Sequence, residues 1–282
     1  MKRLLALYLF VTSAASLAAQ TVFRTGVEVV QVDVSVMRGG RPVQGLTSRD
    51  FGLTDNGIAQ DVDTVSLDRL PLSVALVLDV SQSLSGARLS SLVQAGRELT
   101  RTFRADDKAA LITFSQQIDL RVALTNDMER VRMSLELLSG RGPTALRDAV
   151  YLAIQLRHPD RARPLILLFT DGHDTASWLT EDDVLESLRR TATVIHVVRV
   201  ESDSFLDRVA VASGGRTWLA NSERQLQELF TRAVEEMRTR YLITYSPRGV
   251  NNPGWHEIKV ELREKRGDIT ARPGYFVADP SR

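Results

Sequence analysis

Carboxylate and hydroxyl side chains alternate where one short apolar run ends. In "ALVLDVSQSLSG", the residues Asp79, Ser81 and Ser83 follow four apolar residues. Farther along, Asp171 follows the apolar part of "LLFTDGHD", and Thr144 follows a glycine-containing loop in "GRGPTALRDA". These five side chains offer only oxygen atoms, with no imidazole or thiolate among them. Such hard donors suit Mg²⁺, or Mn²⁺ or Ca²⁺ in its place, better than zinc or copper.

The elements that must position these side chains follow from the spacing of apolar residues. Short apolar runs alternate with helical patterns, which predicts βαβ units and a mostly parallel sheet in an α/β domain spanning residues 70–240. Ligands of such sheets bind outside the carboxyl ends of the strands, so we expect the three polar loops to converge there. The predicted strands are residues 72–78, 109–114, 164–169 and 194–200, with weaker ones at 118–124 and around Trp218.

Helix starts are indicated by polar residues at the N-cap and N3 spacing. Three pairs fit this spacing, and each predicts a helix that begins just after its first member. The pairs are Asn126 with Glu129, Thr180 with Asp183, and Ser222 with Gln225.

Two flanking segments, residues 21–68 and 241–278, have a different pattern. Val30, Val32, Val34 and Val36 alternate with less apolar residues, and "DNG" is typical of a hairpin turn. Neither flank has enough strands for a stable core by itself. We therefore expect the two flanks to pair, with the α/β domain inserted in one small antiparallel β module.

The first residues predict export. A basic start, an apolar run and then small residues make residues 1–18 resemble a secretory signal peptide, with cleavage after Ala18 or Ala19. The mature protein would then be periplasmic or secreted. The sequence has no cysteine, which excludes disulfides and thiolate metal sites, and no later segment apolar enough to span a membrane. Its net charge of +1 gives no basic excess for nucleic acid.

Taken together, the five oxygen-bearing positions resemble the metal-ion-dependent adhesion site of von Willebrand factor type A domains, which include the inserted domains of integrins. The resemblance covers about residues 70–240 and implies a doubly wound sheet with strand order 3-2-1-4-5-6. It also implies a Mg²⁺ ion held by Asp79, Ser81, Ser83, Thr144 and Asp171. A partner protein would then bind this ion through an Asp or Glu carboxylate, without catalysis. The flanks resemble the ends of secreted proteins of this class from acidobacteria.

Other interpretations of the same residues remain open at this point. The polar residues after the first strand could simply cap a helix. A Mg²⁺-assisted hydrolase would need a base near the metal, for which His173 and Asp174 are the candidates. A structural scaffold of an envelope complex with a vestigial metal site is a third possibility. His196 lies within an apolar run and is expected to be packed in the core.

Overall fold

The computed structural model describes residues 29–67, 70–156, 158, 162–250 and 252–279. The predicted signal peptide, residues 1–18, lies outside the described residues. None of the described helices is both long enough and apolar enough to cross a membrane.

Five short strands precede the central domain in the described chain. On the first of them, alternate valines from Val30 to Val36 are buried, as the period-two pattern predicts. Asn56 and Gly57 join the third strand to the fourth with φ angles of 47° and 79°, the left-handed values that an Asn-Gly hairpin turn requires. The strands are β1 (Val30–Arg38), β2 (Arg41–Pro42), β3 (Phe51–Asp55), β4 (Ile58–Gln60) and β5 (Thr64–Ser66).

The central domain is a six-stranded sheet with helices between its strands. Its order is β8-β7-β6-β9-β10-β11, which is 3-2-1-4-5-6 when the strands are numbered within the domain, and the predicted order is confirmed. All neighbours are parallel except β7 and β8. The strands are β6 (Leu72–Asp79), β7 (Lys108–Phe114), β8 (Ile118–Thr125), β9 (Arg163–Thr170), β10 (Val194–Arg199) and β11 (Thr217–Leu219). The helices are α1 (Ala87–Arg101), α2 (Met128–Glu136), α3 (Leu146–Ile154), α4 (Glu181–Arg189), α5 (Ser204–Ser213) and α6 (Glu223–Arg238).

Helices cover both faces of this sheet. On β6, Leu76 and Leu78 pack in the core shared with α1, α2 and α6, whereas Ala75 and Val77 pack in the core shared with α3, α4 and α5. Because both faces are covered, the strand is apolar without alternation. The doubly wound α/β arrangement is therefore confirmed.

Two of the three predicted helix caps are confirmed. The side chains of Thr180 and Ser222 accept hydrogen bonds from backbone N–H groups at the starts of α4 and α6. The prediction for α2 is wrong by one residue, because Asp127 is the N-cap and accepts from the N–H of Arg130. The Thr125 hydroxyl accepts the Asp127 N–H at 3.0 Å, which places Asp127 at the cap instead of Asn126.

Strands that precede the central domain in the chain pair with strands that follow it. The C-terminal flank supplies β12 (Tyr241–Tyr245), β13 (Gly254–Leu262), β14 (Asp268–Thr270) and β15 (Gly274–Val277). Together with the N-terminal strands they form two antiparallel sheets, β14-β1-β12-β5 and β15-β13-β3-β4, with β2 paired beside β1. Their inner faces share one apolar core, in which Val32, Phe51 and Ile243 are fully buried. We call this unit the β module.

A buried ionic cluster joins the central domain to the β module. Glu236 on α6 accepts two hydrogen bonds from Arg240, at 2.9 and 3.0 Å, and one from His196 at 2.7 Å. Arg216 lies 3.3 Å from the same carboxylate and also reaches the hydroxyl of Ser35 on β1. Burial lowers the pKa of His196, whose Nδ1 accepts the Arg216 N–H, so the imidazole is neutral. His196 is thus packed in the core, as its apolar surroundings in the sequence predict.

Candidate metal centre

Asp79 forms the floor of the candidate site. It ends β6 and its side chain is fully buried. One carboxylate oxygen accepts the Ser81 N–H at 2.8 Å, and the other accepts the Thr170 hydroxyl at 2.7 Å. Within the described residues no Lys, Arg or His forms an ion pair with it. Burial raises the pKa of Asp79 despite those hydrogen bonds, and the nearby charge of Asp171 raises it further. A buried carboxylate without a cation is costly, and a bound metal ion would compensate it.

Two serines connect this floor to the second carboxylate. The hydroxyl oxygens of Ser81 and Ser83 lie 3.1 Å apart, and the Ser83 hydroxyl donates to Asp171 at 2.8 Å. The side chain of Asp171 is inaccessible to solvent, whereas Ser83 is exposed. The Ser81 and Ser83 hydroxyls and the Asp171 carboxylate therefore form a line of oxygen atoms that is exposed at Ser83, and the buried Asp79 is joined to it through the Ser81 N–H.

The fifth predicted ligand, Thr144, lies on a loop that is fastened to the first one. The Arg141 N–H donates to the Val80 carbonyl at 2.9 Å, and the Gln82 N–H donates to the Gly142 carbonyl at 3.0 Å. Thr144 is buried two residues before the start of α3. Within the described residues, no hydrogen bond joins its hydroxyl to this line of oxygen atoms. The structure thus holds the loop of Thr144 against the loop of Asp79 without linking the side chain itself to the other four.

Gly140 permits this close contact between the loops. A Cβ atom at this position would lie 1.9 Å from the carbonyl oxygen of Leu84 and 2.9 Å from that of Ser81. Both carbonyls belong to the turn that carries the two serines. A side chain at residue 140 would therefore displace this turn, and glycine allows the two loops to lie against each other.

The loop after Asp171 supports Thr144 from the other side. The backbone carbonyl of Thr144 accepts the N–H groups of Thr175 and Ala176, and its own N–H donates to the Thr175 hydroxyl at 2.9 Å. Asp174 accepts from the guanidinium of Arg147 at 3.0 Å. Asp174 therefore positions the loop and does not join the oxygen cluster.

His173 points to other partners as well. Its two ring nitrogens lie 3.0 Å from Asp203 and 3.3 Å from Glu201. The hydrogen bond with Asp203 raises the pKa of His173, which favours the protonated ring. Both ring nitrogens thus contact carboxylates outside the oxygen cluster, so this geometry gives no support to His173 as a general base there.

Two residues near the site were not predicted from the sequence. Thr170 donates to Asp79, and the guanidinium of Arg88 lies 3.5 Å from the second oxygen of Asp171. Thr170 could have been found from its position beside Asp171 at the end of a strand. Arg88 had only a weak signal, namely a basic residue in the first turn of the helix that follows the serines.

The oxygen atoms fit a small divalent cation. Oxygen ligands of Mg²⁺ lie at 2.0–2.1 Å, so adjacent ligands of an octahedral ion are about 2.9 Å apart. The separations of 3.1 and 2.8 Å along the Ser81, Ser83 and Asp171 oxygens have this size. The described residues contain no cluster of three or more His, Asp or Glu side chains able to hold a metal, so any ion here would depend largely on hydroxyl groups. That donor set suits Mg²⁺ better than zinc or copper.

Comparison with known proteins matches part of the central domain to a family model. Residues 74–173 match the family model described as the von Willebrand factor type A domain. The chain contains a von Willebrand factor type A (VWA) domain. The matched residues include the Asp79 loop, Thr144 and Asp171, so the VWA model covers every loop of the candidate site.

Relatives that are similar in sequence cover part of the chain. Bovine inter-alpha-trypsin inhibitor heavy chain H4 is 23% identical over 238 residues, which are 72% of this chain and 26% of the relative. The human protein of the same name is 23% identical over 207 residues, covering 65% of this chain and 22% of the relative. The chain therefore spans about a quarter of the length of these curated relatives.

Solved structures share the VWA fold at low identity. A von Willebrand factor type A protein from Catenulispora acidiphila has a TM-score of 0.55 at 11% identity, covering 87% of this chain and 76% of that one. Proximal thread matrix protein 1 from the mussel byssus, with a zinc-occupied metal-ion-dependent adhesion site, has a TM-score of 0.54 at 16% identity. That match covers 63% of this chain and 48% of the mussel protein.

Proposed function

We propose that this protein is an exported, metal-dependent protein-binding module for adhesion or complex assembly. In this proposal Ser81, Ser83 and Thr144 hold a Mg²⁺ ion directly, and Asp79 and Asp171 bind it directly or through water. The ion supplies a positive centre that a carboxylate of a partner protein can bind. Mn²⁺ or Ca²⁺ could take the place of Mg²⁺ in the same donor set.

The observation that carries this proposal is the line of Ser81, Ser83 and Asp171 oxygen atoms beside the buried Asp79, which has no ion-pair partner among the described residues. A buried carboxylate that no described cationic side chain pairs with favours a cation at the floor, and the exposed Ser83 hydroxyl opens the site to an external ligand. Because the hydroxyl groups carry no charge, a bound ion attracts a further anion. The mussel relative supports metal binding in this fold, since it has been solved with zinc in the corresponding type of motif.

Catalysis is a weaker candidate. A metal-assisted hydrolase needs a base that can reach a metal-bound water. The two bases considered from the sequence are occupied, because His173 pairs with Asp203 and Asp174 pairs with Arg147. These contacts favour a binding site over a hydrolytic one.

Calorimetric titration of the chelator-stripped protein with Mg²⁺, Mn²⁺ and Ca²⁺ tests the metal step. We expect saturable binding of one ion, lost in the double variant Ser81→Ala, Ser83→Ala. Ser85→Ala is the matched control, since Ser85 is exposed on the same loop. Equal binding by the double variant would refute this site, and no binding by the wild type would favour the scaffold with a vestigial site.

The partner step is tested with a minimal acidic ligand. The Mg²⁺-loaded protein is titrated with the peptide Ac-Gly-Gly-Asp-Gly-Gly-NH2, and binding is followed by amide chemical shifts. We expect shifts around the candidate site that disappear with chelator and with an Asn peptide of otherwise identical sequence. Binding of the Asn peptide with the same affinity would contradict recognition of a carboxylate.

Export is tested separately. The basic and apolar start of residues 1–18 supports cleavage by signal peptidase and a periplasmic or secreted location. The mass of the protein recovered from the periplasm of an expressing bacterium should begin after Ala18 or Ala19. Recovery of the intact chain from the cytoplasm alone would contradict this.

A further inference from the structure

A cavity opens directly beside the candidate metal centre. It has a volume of about 250 Å³ and lies between α1, the ends of β9 and β10, and the start of α6. We propose that this rim cavity is a second subsite, which binds an apolar side chain of the same partner segment whose carboxylate binds the metal. This inference rests on the proposed function and deepens it, because it gives the partner a chemical signature.

The rim cavity and the metal centre share one residue, Asp171, and one turn, which carries Ser83 and Leu84. Asp171 lines the cavity and accepts the Ser83 hydroxyl in the line of oxygen atoms. Leu84 also lines the cavity, directly after Ser83, and its N–H closes the turn on the Ser81 carbonyl at 3.0 Å. A single turn therefore presents hydroxyl groups to one site and an apolar side chain to the next. A bound peptide can reach both subsites with neighbouring residues.

The rim cavity has an apolar wall, and the rest of its lining is polar or charged and consists of Arg88, Ser91, Asp171, Asn221 and Ser222. Leu84, Phe169, Ala220 and Leu226 line it and are each at least nine-tenths buried. Polar residues at the start of α6, including Ser222, lie at the edge. An apolar cavity of about 150 Å³ is large enough to bind benzene, so this one can hold a leucine or phenylalanine side chain.

Arg88 provides a positive charge beside the rim cavity that can attract an acidic peptide. Arg88 lines the cavity, its side chain is 61% exposed, and its guanidinium lies 3.5 Å from the Asp171 carboxylate. With a metal ion on the other side of that carboxylate, the mouth of the cavity lies between two positive groups. The favoured occupant is therefore a peptide segment that carries an acidic residue with a large apolar residue within two positions of it.

Peptides that differ only in one side chain test this inference. The reference is Ac-Gly-Gly-Asp-Gly-Gly-NH2, and four further peptides replace one glycine at a time by leucine. Burial of a leucine side chain predicts that at least one leucine peptide binds the Mg²⁺-loaded protein about tenfold more tightly. If the reference peptide binds and no leucine peptide improves on it, the inference is refuted while the proposed function stands. If no peptide binds in the presence of Mg²⁺, both are refuted.

A cavity-filling variant tests whether the leucine side chain of the peptide binds in the rim cavity. Ala220→Leu places extra volume in the rim cavity, and Ala59→Leu adds the same volume at an exposed position on β4. We expect Ala220→Leu to abolish the leucine advantage while Mg²⁺ affinity and binding of the reference peptide stay within twofold of wild type. The unchanged Mg²⁺ affinity shows that the variant is folded. A leucine advantage that survives in Ala220→Leu would overturn the assignment to this cavity.

Discussion

Replacement of Asp79 by asparagine tests the contribution of the Asp79 charge to metal binding separately from its contribution to the stability of the metal-free fold. Asp79 is buried without an ion pair in the described residues, and burial raises its pKa above the ordinary value of 3.8. The folded protein therefore holds this proton more tightly than the unfolded chain does. By linkage, the contribution of Asp79 to the stability of the metal-free protein is present below about pH 3.8 and is lost as the pH rises through the raised pKa. At neutral pH the charge destabilises the metal-free fold, and a bound cation reverses that cost.

Asparagine can keep the local hydrogen bonds. Its side-chain oxygen can accept the Ser81 N–H, and its amide can donate to the Thr170 hydroxyl. The Thr170 hydroxyl can then donate to the Gly172 carbonyl, which already lies 3.0 Å away. We therefore expect Asp79→Asn without metal to be as stable as wild type within about 1 kcal/mol, or more stable.

With metal the two proteins should differ. Mg²⁺ at 100 times its dissociation constant adds about 2.7 kcal/mol to wild type, which raises Tm by about 5–11 °C for a chain of this size. A unit charge about 4 Å from a divalent ion contributes about 2 kcal/mol even at the dielectric constant of water. Its loss weakens binding about thirtyfold, so at the same Mg²⁺ concentration Asp79→Asn gains less than about 1 kcal/mol.

The assay is scanning calorimetry with chelator and with Mg²⁺. Asp268→Asn, at an exposed position on β14, is the control and should shift like wild type. Equal Mg²⁺-dependent shifts in wild type and Asp79→Asn would show that the ion binds elsewhere. A metal-free Asp79→Asn several kcal/mol less stable than wild type would refute the reasoning that the Asp79 charge is uncompensated.

Three further predictions concern Gly140, Arg88 and the buried ionic cluster of Glu236. Gly140→Ala should weaken Mg²⁺ binding about tenfold or more and cost about 1–3 kcal/mol of stability, because the new Cβ displaces the Leu84 carbonyl; calorimetry and denaturant unfolding measure both. Glu236→Gln should cost about 3–5 kcal/mol in urea unfolding, because it leaves the buried Arg240 without its carboxylate. Arg88→Gln should tighten Mg²⁺ about three- to tenfold in titration, since a positive charge beside the site is removed, and should weaken the acidic peptide.

Each of these predictions has a matched control. Gly172→Ala should be harmless, since a Cβ there meets no atom within 4 Å. Glu235→Gln alters a carboxylate that is exposed, and Arg101→Gln removes an exposed charge from the same helix as Arg88. Weaker Mg²⁺ binding by Arg88→Gln, or full stability of Glu236→Gln, would contradict the electrostatic reasoning.

The pH dependence of stability provides a second measurement for Glu236→Gln. Although burial opposes its ionisation, Arg240 and His196 hold the pKa of Glu236 well below its ordinary value of 4.5. Its contribution to stability is therefore present above about pH 4.5 and is lost as the pH falls through the lowered pKa. Wild type should lose more stability than Glu236→Gln on acidification. Parallel curves for the two proteins would contradict this role.

Much of the fold could be predicted because local patterns agreed with burial. The continuous apolar run that ends at Asp79 required cover on both faces, which favours a parallel sheet between helices. The alternating valines of β1 required one buried face, and the shortage of strands in each flank indicated that the flanks pair. The cap of α2 was misplaced because Asn126 and Asp127 are both good caps, and a contact with Thr125 selects between them.

The amino-acid sequence by itself determined which side chains could hold a metal and on which loops they lie. Strand order then placed the ends of β6 and β9 side by side, so Asp79 and Asp171 meet. Only the tertiary structure decided that Asp79 has no ion-pair partner among the described residues, that Arg88 lies beside Asp171, and that a cavity with an apolar wall adjoins the turn of Ser83. These features depend on distances between residues far apart in the chain, and local propensity and periodicity carry no information about such distances. Burial and electrostatics arise from that packing, and they determine how these hydroxyls and carboxylates could act together.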